Sequence, residues 1–375
     1  MIATSKRSAC IGRVTEDAAR SHILAARYYT DPAVYEWEKE NIFLKSWAYV
    51  GHVSQVAEPG DYFSCSVLDE PLVVARNAEG ELKAFYNVCA HRGMRIVDGS
   101  GHGKYLQCPY HAWTYDLNGK LFRARKTDNL PDFDRAAICL PSVRLCVVES
   151  MIFVNLDANA APISATIGPM FSDVSEFGIE PGRLKLVQQK EYRIAANWKV
   201  VIDNFLESYH AEVAHPTYCT YADFSRAWVE AHEWYTLMGG PSSAKSIEDL
   251  KLAGRFEITE NRYNWGFPNF AYLFYSGLRN LFVWELLPVS YDETIFRRNS
   301  FFECEEDSDD QSEALDDQLT VEDIRLIEGV WQGLKSRGFT GLGRYVINES
   351  ETQRSEEAVH QFHRVCQRFY DAAGL

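Results

Sequence analysis

The sequence of 375 residues has no run of eighteen apolar residues, which argues against a membrane-spanning helix. Its first residues lead into polar sequence and not into the apolar segment of a signal peptide. Seven of the nine cysteines lie scattered, without the paired spacing of a disulfide framework. We therefore expect a cytoplasmic protein with reduced thiols and no membrane partner.

Positive charge is scarce as well. The 38 Lys and Arg residues stand against 53 Asp and Glu residues, and the formal net charge is −15. Since nucleic-acid phosphates are bound by a basic face, this balance argues against a nucleic-acid partner. The glycines of residues 341–343 lack a third glycine and a strand-turn-helix context, so no dinucleotide-binding domain is predicted.

Two short motifs combine cysteine with histidine. Cys89-x-His91 is followed, after sixteen residues, by Cys108-x-x-His111. Two thiolates and two imidazoles form the ligand set of a Rieske [2Fe-2S] cluster, in which both Cys bind one iron and both His bind the other. Zinc accepts the same four ligands. Zinc fingers, however, usually have two Cys in one motif and two His in the other, whereas each motif here contains one Cys and one His. We predict the iron-sulfur cluster and keep zinc as the alternative.

A second group of metal-binding residue types lies in residues 199–214, which have a helical period. Asp203, Glu207 and His210 fall within about 60° of one another on this helix, beside its apolar face. His215 joins them only if the helix ends before His215-Pro216, which the proline favours. Two histidines and a remote carboxylate form the facial triad of non-haem Fe(II) oxygenases.

The candidate for the remote carboxylate lies in residues 320–334, which also have a helical period. The predicted inward face contains Asp323, Ile324, Ile327, Val330 and Leu334, whereas Glu322, Arg325 and Glu328 are predicted to point elsewhere. Asp323 is therefore the candidate third ligand. Alternatively, Thr320 and Asp323 form a capping box at the start of the helix.

One further histidine pair is interpreted as structural. His360 and His363 lie three residues apart on a C-terminal amphipathic pattern, with no acidic partner in place.

Residues 86–93 and 108–113 resemble the two cluster arms of the Rieske non-haem iron oxygenases, the ring-hydroxylating oxygenase alpha-subunit family. Residues 204–216 resemble the iron motif of that family. The resemblance implies a [2Fe-2S] cluster and a mononuclear Fe(II), held respectively by Cys89, His91, Cys108 and His111 and by His210, His215 and Asp323. The family usually has glycine where this chain has Ala112, a departure that we expect to affect packing and not a ligand.

Two acidic residues beside the triad are candidate catalytic residues. Glu207 stands where the family has the acid that bridges the iron site to a Rieske histidine of the neighbouring subunit, although most members have aspartate there. Asp203 lies on the same stripe, one helical turn earlier.

The expected fold class is α+β. Residues 1–44 are predicted to be a helical segment that packs on the catalytic domain. Residues 45–160 are predicted to form a small all-β Rieske domain, with Asn118-Gly119 as a hairpin signal. Residues 161–375 are the predicted catalytic domain, for which the resemblance implies a helix-grip architecture with an antiparallel sheet.

The resemblance also implies partners. It predicts a head-to-tail homotrimer in which electrons cross a subunit interface, and a separate electron donor, either a reductase that uses NAD(P)H and flavin or a ferredoxin. In residues 86–126 seven basic residues stand against two acidic ones. This local excess could steer an acidic donor, or it could consist of ordinary solvated charges.

Weaker signals concern the substrate. Glu207 together with residues 333–344 resembles the branch that oxidises carnitine, choline or glycine betaine. The aromatic residues of one segment could form a cation-π cage or simply core packing: Tyr263, Trp265, Phe267, Phe270, Tyr272, Phe274 and Tyr275. The predicted function is O2-dependent hydroxylation, oxidative dealkylation or cleavage of a small quaternary ammonium compound. The alternatives are an oxygenase of a small aromatic acid and a Rieske electron carrier without oxygenase activity.

Overall fold

The computed structural model describes residues 13–252, 254, 257–258, 260–277, 279–304, 310–348 and 355–375. The chain divides into two compact units. One unit contains Lys39–Ala165 and Glu180–Arg183, and the other contains the described residues up to Glu38 together with Thr166–Ile179 and Leu184–Leu375. The domain limits given above, 1–44, 45–160 and 161–375, stay a prediction.

The described residues form the following helices: α1 Arg27–Thr30, α2 Pro32–Asn41, α3 Trp198–Phe205, α4 Ala211–Ala214, α5 Ala244–Leu252, α6 Asp310–Leu334 and α7 Glu357–Ala373. The strands before residue 160 are β1 Ala48–His52, β2 Asp61–Val67, β3 Glu70–Arg76, β4 Leu82–Tyr86, β5 Ser100–His102, β6 Tyr105–Gln107, β7 Thr114–Asp116, β8 Leu121–Arg123, β9 Ser142–Val148 and β10 Met151–Asn155. The later strands are β11 Lys185–Ile194, β12 Trp228–Ala231, β13 Tyr235–Pro241, β14 Glu260–Gly266, β15 Phe270–Phe274, β16 Asn280–Ser290 and β17 Glu293–Phe302.

The first ten strands build the all-β unit. One sheet has the order β1-β10-β9-β4-β3-β2-β5, and a smaller sheet has the order β6-β7-β8. The predicted Asn118-Gly119 hairpin joins β7 to β8, and Gly119 has a φ of +83°, which glycine tolerates best. Buried residues of both sheets, including Phe85, Leu106 and Tyr115, form one core beneath the two cysteine-histidine motifs.

The other unit is built on one antiparallel sheet with the order β11-β17-β16-β15-β14-β13-β12. Helix α3 packs on β16 and β17, and α6 packs on β11 and α3. This arrangement of helices over an antiparallel sheet is the predicted α+β fold. None of the described helices is both long enough and apolar enough to cross a membrane.

A buried ion pair ties three helices of this unit together. Lys199 Nζ lies 2.6 Å from Glu38 Oε1, and both side chains are fully buried. Trp198 Nε1 donates to the second oxygen of Glu38 at 2.8 Å, and Tyr370 OH donates to Glu38 as well. Because breaking such a pair leaves an uncompensated buried charge, these contacts fix α2 and α7 against α3.

The single helix predicted for residues 199–214 is wrong. Helix α3 begins after Asn197, whose side chain accepts a hydrogen bond from Lys199 N, and it ends at Phe205. The side chain of Glu207 accepts a hydrogen bond from the backbone N–H of His210 at 3.1 Å, and such side-chain bonds compete with a continuous helix. The predicted end before His215-Pro216 is confirmed, because α4 stops at Ala214.

Helix α6 decides the alternative for Asp323. It begins at Asp310, ten residues before Thr320, and the Thr320 hydroxyl donates to the carbonyl of Asp316 at 2.7 Å. The capping-box alternative is therefore wrong. The predicted inward position of Val330 is also wrong, since Val330 is 53% exposed whereas the neighbouring Trp331 is buried.

Candidate metal centres and their cavity

Each cysteine-histidine motif forms the closed tip of a hairpin. In the first motif Cys89 N donates to Met94 O at 2.8 Å and Gly93 N donates to Cys89 O at 2.9 Å. In the second motif Cys108 N donates to the Trp113 carbonyl at 2.8 Å. The backbone of each tip is thus fixed by its own hydrogen bonds, and each tip presents one Cys and one His.

The two tips place thiols with thiols and imidazoles with imidazoles. Cys89 and Cys108 are each 2% exposed, and the nearby Cys108 contributes, after burial, to raising the pKa of Cys89. The Nδ1 atoms of His91 and His111 lie 3.2 Å apart at the surface. This pairing fits a [2Fe-2S] cluster with one iron on each side, whose charge would stabilise the buried thiolates.

Three side chains of the other unit converge on a second centre. Asp323 Oδ1 lies 2.9 Å from His215 Nε2 and 3.4 Å from His210 Nε2. One ligand atom from each of these residues lies within 4.8 Å of the others. The loop after α3 supplies His210, the end of α4 supplies His215, and α6 supplies Asp323.

Two further carboxylates orient the imidazoles. Glu207 Oε1 lies 2.5 Å from His210 Nδ1, and Glu322 Oε2 lies 2.7 Å from His215 Nδ1. With both Nδ1 atoms bound in this way, both Nε2 atoms are left for the shared centre. The prediction that Glu322 points elsewhere is therefore wrong, and Glu322 is a site residue that the sequence pattern did not identify.

The electrostatics of this centre favour a bound cation. Burial lowers the pKa of His210, but the carboxylates of Asp323 and Glu207 outweigh it and raise this pKa to about 10. Burial raises the pKa of Asp323, yet hydrogen bonds from His210 and His215 outweigh it and lower the pKa overall. Asn204, which lines the same cavity, has a buried Oδ1 without a hydrogen-bond partner. The donor set therefore fits a divalent metal.

A cavity opens beside the triad, and aromatic side chains form much of its lining, as is usual for small-ligand sites. Its lining includes Phe205, Tyr218, Tyr263, Tyr275, Trp284, Phe296, Arg298 and Asp316. Of the predicted aromatic cage only Tyr263 and Tyr275 take part. The other five residues are buried in the core: Trp265, Phe267, Phe270, Tyr272 and Phe274.

Two family models match the chain. Residues 46–134 match the Rieske [2Fe-2S] domain, and residues 181–372 match the catalytic domain of the ring hydroxylating alpha subunit. The chain is also 34% identical, over 91% of its length and 92% of the relative, to the carnitine monooxygenase oxygenase subunit of Escherichia coli K12. The chain belongs to the Rieske non-haem iron oxygenases.

Other relatives of this oxygenase agree with the assignment. It is 32% identical to the chloroplastic choline monooxygenase of Beta vulgaris, over 90% of this chain and 74% of that protein. A quaternary ammonium Rieske monooxygenase solved with L-carnitine is 30% identical and has a TM-score of 0.84, with 94% of this chain and 97% of that chain covered. Naphthalene 1,2-dioxygenase from Rhodococcus, at 19% identity and a TM-score of 0.73, shares the fold.

These matches confirm the predicted family, fold and cofactors. The oxygenase carries a Rieske [2Fe-2S] cluster and a mononuclear iron. The zinc alternative is not supported, since the motifs lie within the matched Rieske domain. The electron-carrier alternative predicts no catalytic domain and is wrong.

The oxygenase has an unfavourable backbone conformation in its second cluster arm. Ala112, which stands where the family usually has glycine, has a φ of +57°, and this left-handed conformation costs an L-residue about 1–2 kcal/mol. The departure therefore acts on the backbone conformation, and the expected effect on packing stays a prediction. The Ala112→Gly variant should therefore raise the free energy of unfolding by about 0.5–1 kcal/mol.

Denaturant unfolding of the metal-loaded oxygenase, followed by the visible absorbance of the cluster, measures this change. The Ala90→Gly variant is the matched control, because Ala90 occupies the first arm without a positive φ. It should lose stability, since glycine there adds only unfolded-state entropy. A loss of stability in both variants would contradict the backbone argument.

The oxygenase should also depend on Glu322 for its iron affinity. The Glu322→Ala variant removes the acceptor at His215 Nδ1, so the imidazole is free to rotate and its Nε2 is less basic. We expect iron affinity to fall about 10- to 100-fold, measured by competition with a chelator. Arg325→Ala, an exposed position on the same helix, is the control. An unchanged affinity in Glu322→Ala would remove the orienting role.

The structure brings Asp203 to a different set of residues. Tyr29 OH donates to Asp203 Oδ2 at 2.8 Å, and His363 Nε2 lies 2.7 Å from Asp203 Oδ1. His363 Nδ1 bonds to Tyr345 OH at 2.7 Å, and His363 is buried. Asp203 is not among the residues that line the cavity. The expectation that His363 has no acidic partner is wrong, since Asp203 occupies that place.

Proposed function

We propose that this oxygenase oxidises a small quaternary ammonium compound of the carnitine or betaine kind, with O2 and with electrons from an NAD(P)H-dependent reductase or a ferredoxin. The observation that carries the proposal is an aromatic cavity with an acidic residue that opens directly beside the metal triad. The names of the carnitine and choline monooxygenases support the same substrate class.

Aromatic rings surround the cavity on several sides. Phe205 lies 5.1 Å from Trp284 and 5.2 Å from Phe296 between ring centroids. Tyr218 and Tyr263 are joined by a hydrogen bond between their hydroxyls. Ring faces attract a quaternary ammonium through cation-π interactions. This lining suits a cation without N–H groups, which cannot be recognised by hydrogen-bond acceptors.

The charge within the cavity favours the same ligand. Burial, and next the nearby Asp316 carboxylate, raise the pKa of Tyr275 well above its ordinary value. The phenol therefore stays neutral, and Asp316 contributes negative potential among the rings. A quaternary ammonium gains from that potential, whereas an aromatic acid has no cationic group to place beside Asp316.

We assign the metal ligands in agreement with the sequence predictions. Cys89, Cys108, His91 and His111 hold the cluster, and His210, His215 and Asp323 hold the iron. When bound, the cluster supplies single electrons and the ferrous ion supplies open coordination positions for O2. The chain contributes the rest: Glu207 and Glu322 fix the imidazoles, and the aromatic lining places the substrate beside the triad and excludes water.

Assembly as a head-to-tail homotrimer is part of the proposal. Exposed apolar side chains flank both metal sites: Met94 and Tyr110 beside the Rieske histidines, and Tyr209 and Val213 beside His210. Val213 is 89% exposed, and such residues are buried when subunits associate. In this trimer Glu207 of one subunit faces a Rieske histidine of the next. Asp203 then acts as a positioning residue, because it anchors the end of α3 to α7.

We also propose that the oxygenase is cytoplasmic. None of the described cysteines forms a disulfide bond, which suits the reducing cytoplasm. The limits 45–160 for the Rieske domain and 161–375 for the catalytic domain belong to the same proposal.

A substrate panel tests the proposed function. The oxygenase, supplied with a surrogate reductase and NADH, is incubated with carnitine, γ-butyrobetaine, glycine betaine, choline and benzoate, and the products are identified by mass spectrometry. We expect oxidation of at least one quaternary ammonium compound and none of benzoate. Oxidation of benzoate alone would establish the aromatic-acid alternative. Products are measured because O2 consumption also reports uncoupled turnover.

A further inference from the structure

Two hydrogen-bond donors at the aromatic cavity have no partner among the described residues. They are Trp284 Nε1 and Arg298 Nε, and both atoms are buried. Both side chains line the cavity, and Arg298 is only 2% exposed. Buried donors without an acceptor are destabilising, so a site with two of them is suited to a ligand that brings an acceptor.

The two donors belong to neighbouring positions on the sheet. Trp284 on β16 is paired directly with Arg298 on β17. Directly opposite residues on adjacent antiparallel strands place their side chains on the same face, with Cβ atoms about 5 Å apart. Phe296 also faces this side, because it lies two residues before Arg298. The sheet thus places two hydrogen-bond donors side by side, next to the ring of Phe296.

The remaining nitrogens of Arg298 are held by the protein. Arg298 Nη2 donates to Asp317 Oδ1 at 2.7 Å, and Nη1 lies 3.8 Å from Asp316 Oδ2. Asp317 also accepts from Lys190 Nζ at 2.8 Å and from Tyr192 OH at 2.7 Å. These contacts fix the guanidinium and leave its Nε–H without an acceptor among the described residues. The charges of Lys190, Arg298, Asp316 and Asp317 sum to zero, so the positive charge of Arg298 is balanced within the protein.

The donor pair and the metal triad line different parts of the same cavity. Asp316, beside Arg298, and Asp323, in the triad, both line the cavity from α6. Seven residues of helix separate them, which is about 10 Å along the helix axis. A ligand can therefore place an acceptor at Trp284 and Arg298 while its oxidised carbon lies near the triad.

We propose that Trp284 and Arg298 bind a carboxylate of the substrate and thereby select zwitterionic quaternary ammonium acids over cations that end in a hydroxyl. The inference rests on the proposed function and narrows it. A carboxylate forms stronger hydrogen bonds with these donors than a hydroxyl does. The rings and Asp316 take the ammonium, and the donor pair takes the carboxylate.

The test compares γ-butyrobetaine with hydroxybutyl-trimethylammonium, which carries a CH2OH group in place of the carboxylate. In the native oxygenase we expect kcat/KM to be at least about tenfold higher for the acid. Trp284→Phe, which removes the indole N–H but keeps an aromatic ring, and Arg298→Lys should each lower that ratio about tenfold, mainly through KM. Anaerobic calorimetry of γ-butyrobetaine binding should show the same loss in Kd.

Trp265→Phe is the matched control. Trp265 Nε1 is also buried without a partner, but Trp265 does not line the cavity, so its replacement should leave the ratio unchanged. Equal kcat/KM values for the two compounds in the native oxygenase, or an unchanged ratio in an iron-filled Trp284→Phe variant, would overturn the inference. Failure to oxidise either compound would instead count against the proposed function. Trp284→Phe leaves the ion pairs of Arg298 intact, so it tests the inference even if Arg298→Lys unfolds.

Discussion

Replacing Asp323 by alanine is expected to lower the iron content from about three to about two atoms per chain and to abolish product formation. Asp323 is the carboxylate that both imidazoles share, at 2.9 Å from His215 Nε2 and 3.4 Å from His210 Nε2. Two imidazoles alone leave the site without its charged ligand, so the mononuclear iron is lost. The Rieske cluster is bound by another unit of the chain and should keep its visible spectrum.

Metal analysis combined with the visible spectrum measures both effects. Asp316→Ala is the matched control, because Asp316 lies on the same helix and also lines the cavity, seven residues earlier. That variant should retain about three irons per chain. Full iron occupancy in Asp323→Ala would transfer the ligand role to another acid. Glu207 and Glu322 would be the first candidates, since each already contacts an imidazole of the site.

The residues that meet at both metal sites could be predicted because their spacing is local. A hairpin tip brings Cys89 next to His91 whatever the rest of the sheet does, and the same holds for Cys108 and His111. The prediction of Asp323 is harder, since it lies 108 residues after His215. The helical period and the family resemblance both point to Asp323, and the structure brings it together with the two histidines. Its role as a ligand stays a prediction.

Glu322 shows where such patterns fail. Neighbouring residues on a helix point about 100° apart, so a pattern that turns Asp323 inward turns Glu322 aside. The glutamate side chain is long enough to reach back to His215 Nδ1, and no periodicity encodes that reach. The helix predicted across Glu207 fails for a related reason, because the Glu207 side chain takes the place of a backbone acceptor for His210 N.

The sequence alone could not show which aromatic residues of the segment 263–275 lie in the core and which line the cavity. Every aromatic residue there is compatible with both a core and a cavity. The division depends on which elements cover the sheet: Phe267 stacks on Phe369 of α7, and Tyr272 stacks on Phe171. The cavity instead recruits Trp284 and Phe296 from strands that carry no visible ligand motif. Substrate specificity is thus encoded in tertiary packing, whereas the metal sites are encoded in motifs.

The Glu207→Gln variant is expected to keep both iron sites filled and yet lose coupled product formation by about a hundredfold or more. Glutamine can still accept a hydrogen bond from His210 Nδ1 through its single carbonyl oxygen, so the imidazole stays oriented and iron binds. The variant loses the negative charge and the second acceptor oxygen. That second oxygen accepts a hydrogen bond from the backbone N–H of His210, and in the proposed trimer it also accepts one from a Rieske histidine of the neighbouring subunit. An NH2 group in its place would face two donors.

Two measurements separate this role from a general loss of structure. Iron content and the visible spectrum should match the native oxygenase, while single-turnover experiments with the prereduced protein should show slow oxidation of the cluster when substrate and O2 are added. Glu207→Asp, which keeps the charge and both oxygens on a shorter side chain, should retain more activity than Glu207→Gln. Unchanged product formation in Glu207→Gln would remove the bridging role. Slow turnover with rapid cluster oxidation would instead place Glu207 in the chemistry at the iron site, because the electron would then arrive without its help.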